Sequence, residues 1–257
     1  MNLKTKINEL KKNGITVLPN ILSKKECENY ILIFEKIIKK LSKSKKNVFS
    51  TCQFIDNPFR HEKKLVKLIY RKQLDKIFSN LLDKDYVLID SVAVNRKLRP
   101  DLKEGKRCVS GGNWHVDSRY LNNKRLEKGF GYVAITMFND WTNDNSATLF
   151  VPKSHNRRDR PNRNGNYPCK PLLGKAGSIA IFDTGLWHKA GEASKSNRWG
   201  VFNYYGPWFM KPYFDFPKMM GHKFARQISK PLRKLLHYNS IPPINELEIA
   251  KKLIKNN

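Results

Sequence analysis

Between Tyr86 and Tyr205 the chain runs through apolar, β-branched and aromatic segments: YVLIDSVAV, GYVAITMFNDW, ATLFV, SIAIF and RWGVFNYY. Turn-rich stretches such as NRRDRPNRNGNYP lie between them, and most of the gaps are too poor in helical pattern to hold a helix of normal length. Strands joined without crossover helices pair antiparallel, so this block argues against a βαβ fold and for antiparallel sheets. Helical periodicity flanks it. Leu3, Ile7 and Leu10 recur at helical spacing, with Gly14 placed to end the helix. ITVLP reads as a short strand, and Ser23 and Glu26 form a capping box before a second helix striped by Cys27, Tyr30, Ile31, Phe34, Ile38 and Leu41. A third helix is predicted over roughly His61 to Leu82, with Leu65, Leu68, Ile69, Ile77 and Phe78 inward. From Lys218 onward the pattern returns to amphipathic helix, broken by Pro231 and by Pro242–Pro243, with Leu235, Ile244, Leu247, Ile249 and Leu253 as a packing or dimer surface.

The expected organisation of the 257 residues is therefore a single domain. Residues 1–84 form an N-terminal helical part, 85–210 a β core and 211–257 a C-terminal helical extension. Hydrophobic residues at 40% supply a substantial core. Cys27, Cys52, Cys108 and Cys169 are scattered and form no C-x-x-C pair, which argues against a zinc ribbon and for a reducing compartment. The N-terminus carries charge throughout and no window approaches a membrane span. A cytoplasmic protein is expected.

The net charge of +28, from 50 basic and 22 acidic residues, raises nucleic acid or an anionic membrane as partner. Most of the excess is Lys in a chain also rich in Asn and Ile, and no basic run is interleaved with a nucleic-acid motif. Solvated charge is the preferred explanation, and nucleic acid is not the expected partner.

The chemistry-bearing pattern is His115-Val116-Asp117. In extended chain, residues i and i+2 point to one side, so an imidazole and a carboxylate converge without distortion. His188, in GLWHKAG after SIAIF, is the best second histidine. Two histidines and one carboxylate form the facial triad of non-haem iron(II) oxygenases, which leaves open positions for a bidentate co-substrate and dioxygen. Arg198 starts RWGVFNYY, on the face that also carries Gly200, Phe202 and Tyr204. A guanidinium there matches the far carboxylate of an iron-chelating 2-oxoglutarate.

These residues stand in segments that together resemble the phytanoyl-CoA dioxygenase family of iron(II)/2-oxoglutarate-dependent oxygenases. KKNGITVLPNILSKKECENY is similar to the family's N-terminal signature, and NWHVD to its iron-binding strand. NDNSATLFVPKSHN resembles its N-G-x-L-x-x-x-P-G-S-H segment. GSIAIFDTGLWHKAGEASKSNRWGVFNYY resembles its distal His-to-Arg segment. The resemblance implies a mainly β double-stranded β-helix, a jelly-roll (cupin-like) barrel with helices outside. It implies iron(II), 2-oxoglutarate and dioxygen as cofactor and co-substrates, with ascorbate as a stimulant. The implied reaction hydroxylates an unactivated C–H bond and releases succinate and CO2. Asp117 argues for hydroxylation over halogenation, since related halogenases carry a small residue there. Thr136 aligns with a strand position close to the co-substrate.

This sequence departs from the family in several places. Ser146 and Lys153 stand where Gly is frequent. Ala190 stands where a hydroxyl residue is common, and Ala193 and Lys195 do not match the family's Asn and Ser. His155 reads as structural, and His61, His222 and His237 have no evident partners. Trp114, Trp187 and Trp208 are expected to wall the site against water. Arg157, Arg158, Arg160 and Arg163, in the loop 156–166, suggest a small anionic substrate. Arg96, Arg99, Lys103, Lys106 and Arg107 form a candidate lid. The chain is expected as a monomer or homodimer. The alternatives are a catalytically inactive basic jelly-roll protein that binds nucleic acid or another polyanion, and a repair enzyme of the same fold acting on alkylated nucleic acid.

Overall fold

The computed structural model describes residues 2–42, 52–96, 112–118, 120–121, 124–125, 130–191, 196–240 and 246–247. In chain order the elements are α1 (Leu3–Asn13), β1 (Ile15–Leu18), α2 (Lys24–Ser42), β2 (Cys52–Asp56), α3 (Lys72–Leu82), β3 (Val87–Arg96), β4 (Tyr120–Leu121) and β5 (Lys124–Arg125). There follow β6 (Tyr132–Met137), β7 (Leu149–Phe150), β8 (Lys170–Pro171), β9 (Ile179–Asp183), β10 (His188–Lys189), β11 (Arg198–Gly206), α4 (Phe216–Met220), α5 (His222–Ala225) and α6 (Lys230–Leu235). Short 3-10 turns cover Pro58–Arg60, Lys63–Ile69 and Ser154–Asn156.

Six strands form the main sheet in the order β1-β9-β6-β11-β3-β2, and every neighbouring pair is antiparallel. A smaller sheet runs β10-β7-β8. Strand alternation sorts the main sheet's side chains into two layers. One face joins α1, α2 and α3 in a core that includes Phe34, Phe78, Trp199, Val201 and Tyr205. Phe34 sits 5.1 Å from both Phe138 and Trp199, ring centre to ring centre. The other face carries Val133, Ile135, Phe182 and Tyr204 and encloses a cavity. This is the jelly-roll architecture with helices outside.

Local chemistry sets the helix ends. Asn2 caps α1, and Gly14 closes it at φ 80° with its N–H on Leu10 O. The Ser23 amide donates to Glu26 Oε2 at 2.8 Å, and the Glu26 amide to Ser23 Oγ at 3.2 Å, which completes the expected capping box.

Several expectations need correction. The predicted third helix is two pieces. Lys63–Ile69 is a 3-10 helix, extended backbone at Tyr70 and Arg71 interrupts it, and α3 starts at Lys72. The inward set Leu65, Leu68, Ile69, Ile77 and Phe78 is nonetheless buried. The expected strand at NWHVDS reduces to an isolated bridge between His115 and His188. Pro231 lies in the first turn of α6, where its missing N–H leaves no bond unmade, so it opens a helix rather than breaking one. Sequence reading missed β2, which forms an edge of the main sheet; with β1, two of its strands come from the first 84 residues. Pro242, Pro243, Ile244, Ile249 and Leu253 lie outside the described residues, and Leu247 is exposed.

Candidate metal centre

Three backbone contacts build the site before any side chain does. After β9, the turn at Asp183–Leu186 is tied by Asp183, whose Oδ1 accepts the Gly185 amide at 2.7 Å and whose carbonyl accepts the Leu186 amide at 2.8 Å. The chain then enters β10 at His188. His115 and His188 exchange both backbone hydrogen bonds at 3.0 Å. The amides of Asp117 and Ser118 both donate to Thr184 O at 2.9 Å. This docking holds residues 115–117 against His188 and the turn that precedes it, so the i, i+2 convergence survives without a regular strand.

One ligand atom from each of His115, Asp117 and His188 lies within 4.8 Å of the others. His115 Nε2 is 3.9 Å from Asp117 Oδ1, and His188 Nε2 is 3.6 Å from Asp117 Oδ2. Both Nδ1 atoms face carbonyls, Asn113 O at 2.8 Å for His115 and Leu186 O at 2.9 Å for His188. A carbonyl only accepts, so each Nδ1 carries the proton and each Nε2 turns a lone pair inward. Burial, reinforced by neighbouring His115, lowers His188 to about 4, which keeps its ring neutral. Two imidazoles and one carboxyl side chain are the donor set of a facial N,N,O site, and these residues could hold a divalent first-row metal. The ring of Phe182 packs 5.0 Å from that of His188 and fixes it from below.

The triad lines a cavity of about 310 Å³. Arg198 reaches the same cavity from β11. It is 3% exposed, its guanidinium lies 3.8 Å from the Trp141 ring centre, and no carboxylate among the described residues pairs with it. Burial, with Arg96 beside it, lowers its pKa to about 9. A buried cation without an anion is costly, and the geometry asks for an anionic ligand. Arg96 pairs with Arg198 across β3 and β11 and lines the cavity as well.

The other expected residues divide. Thr136 is buried but does not line the cavity; it pairs with Val201, whose side chain is in the helix-side core. Strand alternation turns Thr136 away from the cavity. Trp114 and Trp187 are buried beside the site and pack on Tyr167 at 5.4 and 5.0 Å, whereas Trp208 is 61% exposed and away from it. His155 is structural as expected: it is buried, and its Nε2 donates to Lys11 O at 3.1 Å. His237 has a partner after all, with Nε2 donating to Leu88 O at 2.8 Å. Arg157 pairs with Asp159 at 2.9 Å and stacks on Trp187, and neither it nor Arg158, Arg160 or Arg163 lines the cavity. Of the candidate lid, Arg99, Lys103, Lys106 and Arg107 lie outside the described residues, as do Ala193 and Lys195.

Polar cavity residues that the sequence did not single out are Asp90, Thr148, Lys189 and Tyr213. Lys189 had a legible signal, since it follows His188. Thr148 did not: its relation to Ala190 exists only through the pairing of β7 with β10.

The family model described as "Phytanoyl-CoA dioxygenase (PhyH)" matches residues 10–199. Uncharacterized proteins of Mycobacterium tuberculosis and Mycobacterium bovis are each 31% identical over 118 residues, 43% of this chain. That match spans 42% of the length of those relatives. Among solved structures, HygX from Streptomyces hygroscopicus with nickel, 2-oxoglutarate and hygromycin B bound gives a TM-score of 0.64 at 13% identity. The match covers 85% of this chain and 94% of that one. The 2-oxoglutarate-dependent carbocyclase SnoK from nogalamycin biosynthesis gives 0.62 at 16% identity, covering 88% and 90%. The epimerase SnoN, in complex with Fe3+, alpha ketoglutarate and nogalamycin RO, gives 0.58 at 14%, covering 80% and 83%.

Proposed function

The chain belongs to the phytanoyl-CoA dioxygenase family, and from that premise we propose that it is an iron(II)/2-oxoglutarate-dependent dioxygenase that oxidises an unactivated C–H bond of a small organic substrate. The observation that carries the reading is the convergence of His115, Asp117 and His188 in one cavity with a buried guanidinium that no acid among the described residues pairs with.

In this reading His115 Nε2, His188 Nε2 and an Asp117 oxygen hold iron(II). Arg198 takes the far carboxylate of 2-oxoglutarate, braced by its stack on Trp141 and joined by Arg96. The bound iron and 2-oxoglutarate, with dioxygen, supply the oxidation, in which the keto acid is decarboxylated to succinate and CO2 while the substrate C–H bond is oxidised. The carbonyls of Asn113 and Leu186 hold the histidines in the binding tautomer. Ala190 brings no hydroxyl to the cavity, but Thr148, one step beyond the Lys189–Leu149 pair in the β10/β7 register, does. We assign Thr148 the hydroxyl role that the family commonly places two residues after the distal histidine. Hydroxylation is the outcome we favour. Solved structures of similar fold include a carbocyclase and an epimerase, so the fold accommodates other oxidative outcomes.

The direct test is succinate release from 2-oxoglutarate with iron(II) and ascorbate across a panel of small molecules. The wild type is expected to form succinate in step with one oxidised product, and Asp117→Ala to form none. Equal succinate from both proteins would refute the assignment.

A further inference from the structure

The cavity has a second polar group that the oxygenase reading leaves unused. β3 directs Asp90, Val92, Val94 and Arg96 into it by strand alternation. Arg96, opposite Arg198, marks the co-substrate end. Asp90, opposite Tyr204, lies six residues away, roughly 20 Å of strand. A five-carbon diacid held by Arg198 does not span that distance, and a carboxylate has the wrong sign for it.

Asp90 is half-buried, and the amide of Ser91 donates to it. No basic side chain among the described residues pairs with it, although the chain carries 50 Lys and Arg against 22 acids. Burial raises its pKa to about 6, and the carboxylates of Asp56 and Asp117 add to the rise. Its neighbours are aromatic. Tyr204 is its strand partner, and Tyr213 reaches the same place because its amide donates to Ile89 O at 3.0 Å. The two rings meet edge to face at 6.3 Å. The register shift between Tyr204 and Tyr205 leaves Ile89 as the extra residue of a β-bulge beside Asp90, a device that re-aims side chains.

A carboxylate flanked by aromatic faces is the chemistry that recognises an ammonium group. Its position also suits a substrate. Phe182, Val133, Tyr204 and Asp90 form one row across four adjacent strands, and His188 stands on Phe182. Three strand spacings, about 14 Å, therefore separate the sheet beneath the triad from the sheet beneath Asp90.

We propose that Asp90 is the substrate-anchoring carboxylate of this cavity and selects a small molecule bearing a protonated amine, held with its oxidised carbon toward the triad. The proposal rests on the oxygenase reading and replaces the expected anionic substrate with a cationic one.

Calorimetric titration tests it with protein loaded with nickel(II) and 2-oxoglutarate, which blocks turnover. The probes are glucosamine, tyramine, cadaverine and lysinamide, each beside its N-acetylated counterpart. At least one amine is expected to bind tenfold or more tighter than its acetylated form. Asp90→Asn should lower that affinity at least tenfold, Asp90→Glu should keep it within threefold, and 2-oxoglutarate should bind all three proteins alike. Failure of every amine to outbind its counterpart, or an amine preference intact in Asp90→Asn, overturns the proposal. Failure of the wild type to bind 2-oxoglutarate with nickel is a separate result, which removes the oxygenase reading first.

Discussion

Arg198 is held in a state that costs the fold energy, since its charge is buried against Trp141 with no acid among the described residues beside it. Replacing such a group with an apolar one of similar length is neutral or stabilising, by up to a few kcal/mol. Arg198→Met should therefore match or exceed the wild type in thermal stability while its 2-oxoglutarate affinity falls on the order of 100-fold, about 2.7 kcal/mol. Calorimetry and a melting curve on one sample read both; a variant that lost stability and binding together would point to a packing role instead. Lys153 and Ser146 show the reverse relation between sequence and strain. Both have positive φ, 64° and 60°, at positions where the family often has Gly. Lys153→Gly should raise stability by roughly 0.5–1 kcal/mol, measured by denaturant midpoint, because a side chain in that region is strained. Of the candidate site residues, the His115–Asp117 pair and the inward face of Arg198 were legible from spacing and strand parity, and His188 from its place after the strand SIAIF. Asp90 was not, because a lone acid in YVLIDSVAV gives no sign of which face it takes. Thr136 had the opposite fault: its segment was identified, but its parity turns it to the helices.

At the scale of elements, the legible features were those with local chemical punctuation. Gly14 and the Ser23–Glu26 box mark real helix ends. The break at Tyr70–Arg71 carries no Gly or Pro, so periodicity ran straight through it, and tertiary packing decided it. β2 is short and lacks clean alternation, and only its pairing with β3 makes it a strand. Just past the end of α6 a histidine couples the C-terminal helices to the sheet. His237 has φ 61°, is buried, and donates to Leu88 O in β3. Burial lowers its pKa below the ordinary 6.5, so the folded state prefers the neutral ring. The unfolded chain then binds more protons as pH drops, and stability present above pH 6.5 is lost on acidification. Melting temperature should fall between pH 6.5 and 5, and His237→Gln should flatten that slope. An unchanged slope would place the acid sensitivity elsewhere.

At the scale of the molecule, the antiparallel pairing of the β core was readable from the order of strand-like segments, and the barrel with helices outside from the family resemblance. Which charges enter the cavity was not, because pairing between distant strands sets it: β3 and β11 bring Arg96 to Arg198 and Asp90 to Tyr204. The Arg-rich loop after Asn156 was conspicuous in sequence and is spent partly on Asp159 and Trp187 rather than on the cavity. The net charge of +28 keeps polyanion binding as the rival reading of the same fold. The two part over one measurement, an anaerobic titration of the protein with iron(II) and 2-oxoglutarate, followed by the weak visible charge-transfer absorption of the chelate. The band should saturate at one equivalent of iron in the wild type, vanish in His188→Ala, and need far more 2-oxoglutarate in Arg198→Met. A wild type with no band, or a band that survives loss of His188, contradicts the metal centre; the first of these together with salt-sensitive DNA binding would transfer the case to the rival.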